Sequence, residues 1–137
     1  MSDEKNEVEW VLDLRPVTIR QWLDVMGSLP DERLRERDPS TPVVFVSAIE
    51  ADEYARRIGG RLPTDSELEH AFAQRTVARI RPVVWEWTST AGGSSRVSRG
   101  GWIYGNADDL PASYRSASAS GDRYYDIGLR CASQGGS

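Results

Sequence analysis

Three short capping motifs determine where helices begin in the first half of this chain. Thr18, Ser47 and Thr64 are each followed, three residues later, by Gln or Glu. In such a capping box, the two side chains satisfy backbone N–H groups at a helix start. The sequence therefore predicts three short helices, the first two ending at Gly27 and at Gly59-Gly60. The residues predicted for their buried faces are Trp22, Leu23 and Met26, then Ile49, Tyr54 and Ile58, and finally Leu68, Ala71 and Phe72.

The segments between these helices differ in character. Residues 28–41 are charged and interrupted by proline, which predicts a mobile surface connection with about one helical turn. Residues 42–46 are apolar and β-branched, a composition typical of strands. Residues 8–14 alternate as a half-buried strand does, with one face made of Val8, Trp10, Leu12 and Leu14.

The second half of the chain favours short strands joined by long loops. Nine of the twelve glycines follow residue 88, and no helical pattern is evident there. The Gly-rich residues 91–95 do not open a helix, so we interpret them as a hairpin loop. The strand candidates are residues 83–87, 96–99 and 127–131, the last with Ile127, Leu129 and Cys131 facing inward.

Composition narrows the function classes. A chain of 137 residues with 39% hydrophobic and 28% charged residues predicts one globular domain over residues 1–137, with a core at about 8–133 and flexible ends at 1–7 and 134–137. The net charge of −4 and the scattered basic residues argue against a nucleic-acid partner.

The sequence also bears on location. No apolar stretch is long enough to cross a membrane. A lone cysteine suits a reducing compartment, so we expect a cytoplasmic location.

An ordered set of motifs resembles a known family. The pieces are Pro-Val-Val-Phe-Val-Ser at 42–47, Gly-Arg-Leu-Pro-Thr-Asp-Ser-Glu-Leu-Glu at 60–69, Val-Trp-Glu-Trp-Thr at 84–88, Arg-Val-Ser-Arg-Gly-Gly-Trp at 96–102, Tyr-Arg-Ser-Ala at 114–117 and Ile-Gly-Leu-Arg-Cys-Ala at 127–132. Together they resemble the formylglycine-generating enzyme (sulfatase-modifying factor) family over residues 8–133. The resemblance implies an α+β, C-type-lectin-like fold of the formylglycine-generating-enzyme type. In it, two to three helices pack on short antiparallel strands, the N- and C-terminal strands lie together, and the second half is rich in loops.

Metal ligands found in this family are missing from the chain at the corresponding positions. The family's oxidases bind copper with two cysteines placed shortly after the R-x-x-R-G-G segment, whereas residues 102–113 contain no sulfur and Cys131 corresponds to an ordinary core cysteine. Relatives also bind calcium through residues just before the W-E-W strand. Here Pro82 and Val83 occupy those positions without a side-chain oxygen. The resemblance therefore implies a reduced, non-catalytic member with no metal and no cofactor.

The acidic residues of the third helix have a structural explanation. Asp65, Glu67 and Glu69 stand in its first turns, where capping and the helix dipole favour carboxylates. We expect Arg61 to pair with a nearby carboxylate and Glu86, between two core tryptophans, to pair internally.

Two further observations argue against a hydrolase. His70 is the only histidine, so it has no second imidazole with which to share a metal or a proton. It is expected to be a surface or boundary residue. The chain also lacks a glycine-flanked serine of the kind that nucleophilic hydrolases use.

One segment has the composition of a binding surface. Of the 24 residues from 102 to 125, fourteen are Tyr, Ser, Asp, Gly or Asn, the types that recognition loops use. The same residue types also build ordinary loops whose tyrosines cover a core edge, and the sequence leaves the two interpretations even. The candidate ligand-binding residues are Trp102, Tyr104, Asn106, Asp108, Asp109, Ser118, Asp122, Tyr124 and Tyr125.

These observations lead to a recognition hypothesis with two alternatives. The first is a non-catalytic domain that binds a protein or peptide partner through this segment. Inactive relatives suggest a sensor or adaptor of a bacterial conflict system, or a ligand binder diversified by a retroelement. The alternatives are an enzyme with an unrecognised activity, either cofactor-free or assisted by a metal at Asp108, Asp109 and Asp122, and a purely structural assembly domain. The sequence leaves the oligomeric state open.

Overall fold

The computed structural model describes residues 10–77, 84–100 and 115–134. The described helices are α1 (Ile19–Met26), a 3-10 helix (Glu32–Glu36), α2 (Ala48–Arg57) and α3 (Asp65–Gln74). The described strands are β1 (Trp10–Leu12), β2 (Trp85–Gly92), β3 (Ser95–Arg99), β4 (Arg115–Ala119), β5 (Ile127–Gly128) and β6 (Ala132–Gln134). Helices therefore precede the main sheet in the chain, as the sequence predicts for an α+β fold.

All three predicted capping boxes are confirmed. The Thr18, Ser47 and Thr64 hydroxyls each accept a hydrogen bond from the backbone N–H three residues on, and the Gln or Glu there accepts one in return. α1 ends at Gly27, whose φ of 84° is the left-handed conformation that glycine adopts without steric cost. Local chemistry alone thus sets the helix starts.

Two sheets connect distant parts of the chain. β1 and β6 form an antiparallel pair that joins Trp10 to Gln134, so the first and last described strands lie together as predicted. The second sheet has the order β4-β3-β2-β5, in which β2–β3 and β3–β4 are antiparallel. β5 is parallel to β2, which departs from the expected antiparallel strands. The predicted strand at 127–131 is therefore only the two-residue β5, although Ile127, Leu129 and Cys131 are all buried as expected.

The second sheet lies between two helices. Side chains alternate along β3, so Arg96 and Arg99 extend from opposite faces of the sheet. Arg96 makes two hydrogen bonds, of 3.1 and 2.8 Å, to Asp52 of α2. Arg99 forms ion pairs with Asp65 and Glu69 of α3. β3 is thereby held between α2 and α3.

The connection over residues 28–41 is anchored in the core. Leu34 projects inward from the predicted helical turn and is only 1% exposed, which corrects the expectation of a purely surface connection. The Arg33 guanidinium lies 4.1 Å from the centre of the Phe45 ring. The sequence pattern missed this anchor because one leucine among charged residues shows no periodicity.

Residues 42–46 are buried but form no regular strand. Pro42 makes a single bridge to Thr18, and Val43 donates its N–H to Val17 at 3.0 Å. Phe45 has a φ of 61°, an uncommon conformation for a large side chain, which turns the chain before α2. A β-carbon at Gly128 would overlap the carbonyl oxygen of Val43, so the close packing of this segment requires glycine there.

Several predicted core positions are wrong. Large apolar side chains expected to be buried are instead exposed, namely Leu14 at 59%, Leu23 at 42%, Ile49 at 58% and Ile58 at 42%. The buried face of α2 consists of three alanines and one tyrosine, namely Ala48, Ala51, Tyr54 and Ala55. Small side chains let the helix approach its neighbours closely, so size alone did not identify the inward face. The face predicted for α3 is confirmed, since Leu68, Ala71 and Phe72 are all buried.

A buried ion pair links the two ends of the fold. The Arg130 guanidinium donates to both oxygens of Glu86, at 2.7 and 2.9 Å, and both side chains are almost completely buried. Arg130 also donates to the backbone oxygens of Asp13 and Leu14, at 3.2 and 2.8 Å. The expectation that Glu86 pairs internally is confirmed, and its partner joins β2 to the chain following β1.

Glu86→Gln is predicted to destabilise the fold strongly. The substitution keeps the shape of the side chain but leaves the buried Arg130 charge without its counterion, which costs about 3–5 kcal/mol of unfolding free energy. Urea unfolding monitored by tryptophan fluorescence measures the change. The matched control is Glu53→Gln, which removes a carboxylate paired with Arg56 at the surface of α2 and should change the midpoint far less. Equal changes in the two variants would contradict the assigned role of the pair.

Candidate functional site

The predicted site residues fall into two groups in the structure. Trp102, Tyr104, Asn106, Asp108 and Asp109 lie outside the described residues. Ser118 lies on β4, and the others, Asp122, Tyr124 and Tyr125, lie in the segment between β4 and β5, which we call the 120–126 loop.

β4 separates the attachment points of these groups. Arg99 pairs with Arg115 at one end of the β3–β4 hairpin, and Ser95 pairs with Ala119 at the other. Residues 102–109 belong to the connection between Arg99 and Arg115, whereas the 120–126 loop leaves from Ala119. At about 3.3 Å per residue, the two attachment points are about 13 Å apart. The candidate segment is thus interrupted by the strand β4.

The start and the end of the 120–126 loop are tied to other elements through backbone groups. Ser120 donates its N–H and its hydroxyl to the carbonyl of Ser94, at 3.1 and 3.0 Å. The Ser120 carbonyl accepts the N–H of Ile49 at the start of α2, at 3.3 Å. The Tyr124 carbonyl accepts the N–H of Phe45 at 3.0 Å. The loop therefore runs along α2 and the turn that precedes it.

Arg123 fixes the middle of the loop. Its Nε donates to Glu50 at 3.0 Å, a second nitrogen also contacts Glu50, and a third donates to the Pro30 carbonyl at 3.2 Å. Burial raises the pKa of Glu50, but hydrogen bonds from Arg123 and Ser47 outweigh it and hold that pKa below its ordinary value. Glu50 thus serves both the α2 capping box and the loop. No sequence signal identified Arg123, because its partners are 73 and 93 residues away in the chain.

The two adjacent tyrosines of the loop have different environments. Tyr124 is half-buried, and its ring lies 6.1 Å from the Trp87 ring at a tilt of 55°. Tyr125 is 67% exposed, the most exposed large hydrophobic side chain among the described residues. Asp122 is also exposed. Tyr124 therefore covers the core edge, while Tyr125 and Asp122 face solvent.

The acidic cluster of α3 is engaged in structural contacts. Arg61 donates to both oxygens of Glu67 at 2.8 Å, which confirms the expected internal pairing. Hydrogen bonds from Arg61 lower the pKa of Glu67 to about 2, although burial acts in the opposite direction. Asp65 and Glu69 contact Arg99, and His70 is exposed as expected. These carboxylates hold α3 against β3 and the preceding turn.

The single cysteine is in an unreactive environment. Cys131 is fully buried, and burial raises the pKa of its thiol to about 12. The reactive form of a cysteine is the thiolate, which such a pKa suppresses at neutral pH. Within the described residues, no group of three or more His, Cys, Asp or Glu side chains is placed to hold a metal ion.

The arrangement of the sheets and helices identifies the fold. The two-stranded terminal pair and the second sheet with helices on both faces make an α+β fold. It is the C-type-lectin-like fold of the formylglycine-generating-enzyme type. A family model described as the sulfatase-modifying factor enzyme 1-like domain matches residues 4–79. This chain therefore belongs to the sulfatase-modifying factor enzyme 1-like family.

A solved structure supports the same fold. Variable protein 1 of Treponema denticola matches with a TM-score of 0.75 and 17% sequence identity, covering 92% of this chain and 84% of that one. No curated protein sequence matches the chain. In the part of the chain that the structure describes, no helix is both long and apolar enough to span a membrane.

The Arg61–Glu67 pair predicts a specific acid sensitivity. The pKa of Glu67 is lower in the folded chain than the ordinary 4.5, so its charge contributes stability above pH 4.5 that is lost as the pH falls toward 2. Glu67→Gln keeps the capping box but removes the charge. The parent should therefore be more stable than the variant at neutral pH, and this difference should shrink toward pH 2 in urea unfolding. A difference that persists unchanged at pH 2 would contradict this account.

Proposed function

We propose that this chain is a non-catalytic recognition domain that binds a protein or peptide partner through its C-terminal loop surface. The proposed surface contains the exposed part of the 120–126 loop and the connection that precedes β4. Its proposed contact residues are Trp102, Tyr104, Asn106, Asp108, Asp109, Ser118, Asp122, Tyr124 and Tyr125.

The supporting observation is a firmly held loop that exposes an aromatic ring. Arg123, Ser120 and the Tyr124 backbone anchor the 120–126 loop, while Tyr125 and Asp122 project into solvent. A loop ordered before binding loses little conformational entropy when a partner docks. Exposed tyrosines supply large contact areas with few rotatable bonds, which is why they dominate recognition loops. This surface suits macromolecular contact better than a reaction.

The non-catalytic part of the proposal has separate support. One cysteine does not provide the two thiolates with which the family's oxidases bind copper, and the thiol present is buried. The carboxylates of α3 and the buried Glu86 are paired with arginines. Each is explained by the fold without a catalytic role.

The cellular setting belongs to the proposal as well. We place the chain in the cytoplasm, either as the sensor or adaptor of a bacterial defence system or as a diversified ligand binder. The solved neighbour carries the name of a variable protein, which accords with the second setting.

Removing the two exposed loop side chains should weaken binding. Peptides selected on the parent from a random library displayed on phage serve as the probe, and calorimetry or fluorescence anisotropy gives the affinities. We predict that the Asp122→Ala, Tyr125→Ala double variant binds them at least about tenfold more weakly, because central aromatic contacts carry much of the binding energy of an interface.

The matched control changes an equivalent pair of exposed residues on α1. Leu23→Ala, Asp24→Ala also removes one apolar and one acidic side chain and should leave the affinity unchanged. Equal binding by all three proteins would place the binding surface elsewhere. Failure to select any peptide, together with self-association in sedimentation, would favour the assembly domain instead.

A further inference from the structure

Asp126 carries a partly buried carboxylate next to the exposed ring of Tyr125. Ile127 donates its N–H to the Tyr124 carbonyl at 3.5 Å, so Tyr125 and Asp126 are the two central residues of a turn. This turn forms the end of the 120–126 loop, where the loop joins β5. An acidic group and an aromatic ring therefore stand on adjacent positions of the proposed binding surface.

Backbone contacts hold this turn in place. The Asp126 carbonyl accepts the N–H of Trp85 on β2 at 2.8 Å. The Tyr124 carbonyl accepts the N–H of Phe45 at 3.0 Å, and Ile127, the next residue after the turn, is buried. The Asp126 side chain thus extends from a fixed part of the backbone, and a ligand that pairs with it does not have to order the turn first.

The Asp126 carboxylate has no cation as a partner in the described part of the chain. Its own backbone N–H is the one hydrogen-bond donor to it there, and no arginine or histidine of that part contacts it. Burial raises the pKa of Asp126 above the ordinary 3.8, because the charged form loses hydration without gaining a counterion. By contrast, Glu50, Glu67 and Glu86 are also partly or fully buried, and each pairs with an arginine.

The neighbouring side chains favour a cation at this position. Arg123, the basic residue of the same loop, is bonded to Glu50 and to the Pro30 carbonyl. Asp122 is acidic and exposed. The Tyr125 ring is 67% exposed, and the face of an aromatic ring attracts a positive charge. The turn therefore offers a carboxylate and a ring face, the two groups that bind a lysine or arginine side chain best.

We infer that Asp126 and the Tyr125 ring bind a lysine or arginine side chain of the protein or peptide partner. This inference rests on the proposed function and gives the partner a chemistry, a segment that is basic where it meets this turn. A charge-assisted hydrogen bond from the partner offsets the hydration that the carboxylate has lost. The net charge of −4 also favours the approach of a basic segment.

An NMR titration of the Asp126 carboxyl group tests the site in the free chain first. We expect a pKa above 3.8 in the free chain and a pKa below 3.8 when the chain is saturated with an N-acetylated, phage-selected peptide. A pKa below 3.8 in the free chain would overturn the inference, because a cation of the chain itself would already pair with Asp126. A pKa that does not change when such a peptide binds would overturn it as well.

A double-mutant cycle with the peptide supplies the second test. Asp126→Asn keeps the size of the side chain and removes its charge, so peptide affinity should fall at least about tenfold. Replacing one basic residue of the peptide by norleucine should cost the parent a similar factor but leave the affinity of Asp126→Asn nearly unchanged. The matched control is Asp24→Asn on α1, another exposed acidic position, which should bind like the parent. Additive losses at every basic peptide residue would contradict the pairing.

Unfolding midpoints separate a binding role from a structural one. Because Asp126 has no counterion in the described part of the chain, Asp126→Asn should leave the urea midpoint unchanged or raise it. A large fall in the midpoint would overturn the inference, since the carboxylate would then stabilise the fold through an internal partner.

The variants also distinguish this inference from the proposed function. Loss of binding on Asp122→Ala, Tyr125→Ala without any effect of Asp126→Asn would overturn the pairing with a basic side chain and leave the proposed function standing. Absence of any selected peptide would instead overturn the proposed function.

Discussion

Arg130 and Glu86 form a buried ion pair that joins the segment after β5 to β2. Arg130 has five N–H donors in a planar group, and here they reach Glu86 on β2 and two carbonyls of the chain after β1. A buried guanidinium is tolerated only when its charge and its donors are satisfied, so these elements must come together around it. The pair thereby holds the main sheet next to the chain segment that follows β1.

The main sheet positions the candidate surface relative to the helices. Arg96 and Arg99 hold β3 from opposite faces, through α2 on one side and α3 on the other. β4 then pairs with β3, and its Ser116, Ala117 and Ala119 side chains are exposed. Arg123 attaches the following loop to Glu50 of α2. Arg96, Arg99 and Arg123 thus have structural contacts, while Asp122 and Tyr125 face solvent.

A structural feature can be predicted from the sequence when the residues that make it lie close together in the chain. Capping boxes join residues three apart, so Thr18, Ser47 and Thr64 could be assigned from the sequence. Buried faces depend on what packs against a helix, and the alanines of α2 proved more important than Ile49 and Ile58. Tyr124 and Tyr125 show the same limit, since adjacent residues of one type lie in different environments, half-buried and exposed.

The helix starts, the lack of a two-cysteine copper site and the likeness to the sulfatase-modifying factor family could be inferred without coordinates, because each depends on residue types at short spacings in the chain. The position of β4 within the candidate segment and the anchoring of the 120–126 loop by Arg123 became known only from the three-dimensional structure. Those features arise from strand pairing and from contacts 73 or more residues apart along the chain, which no local pattern encodes.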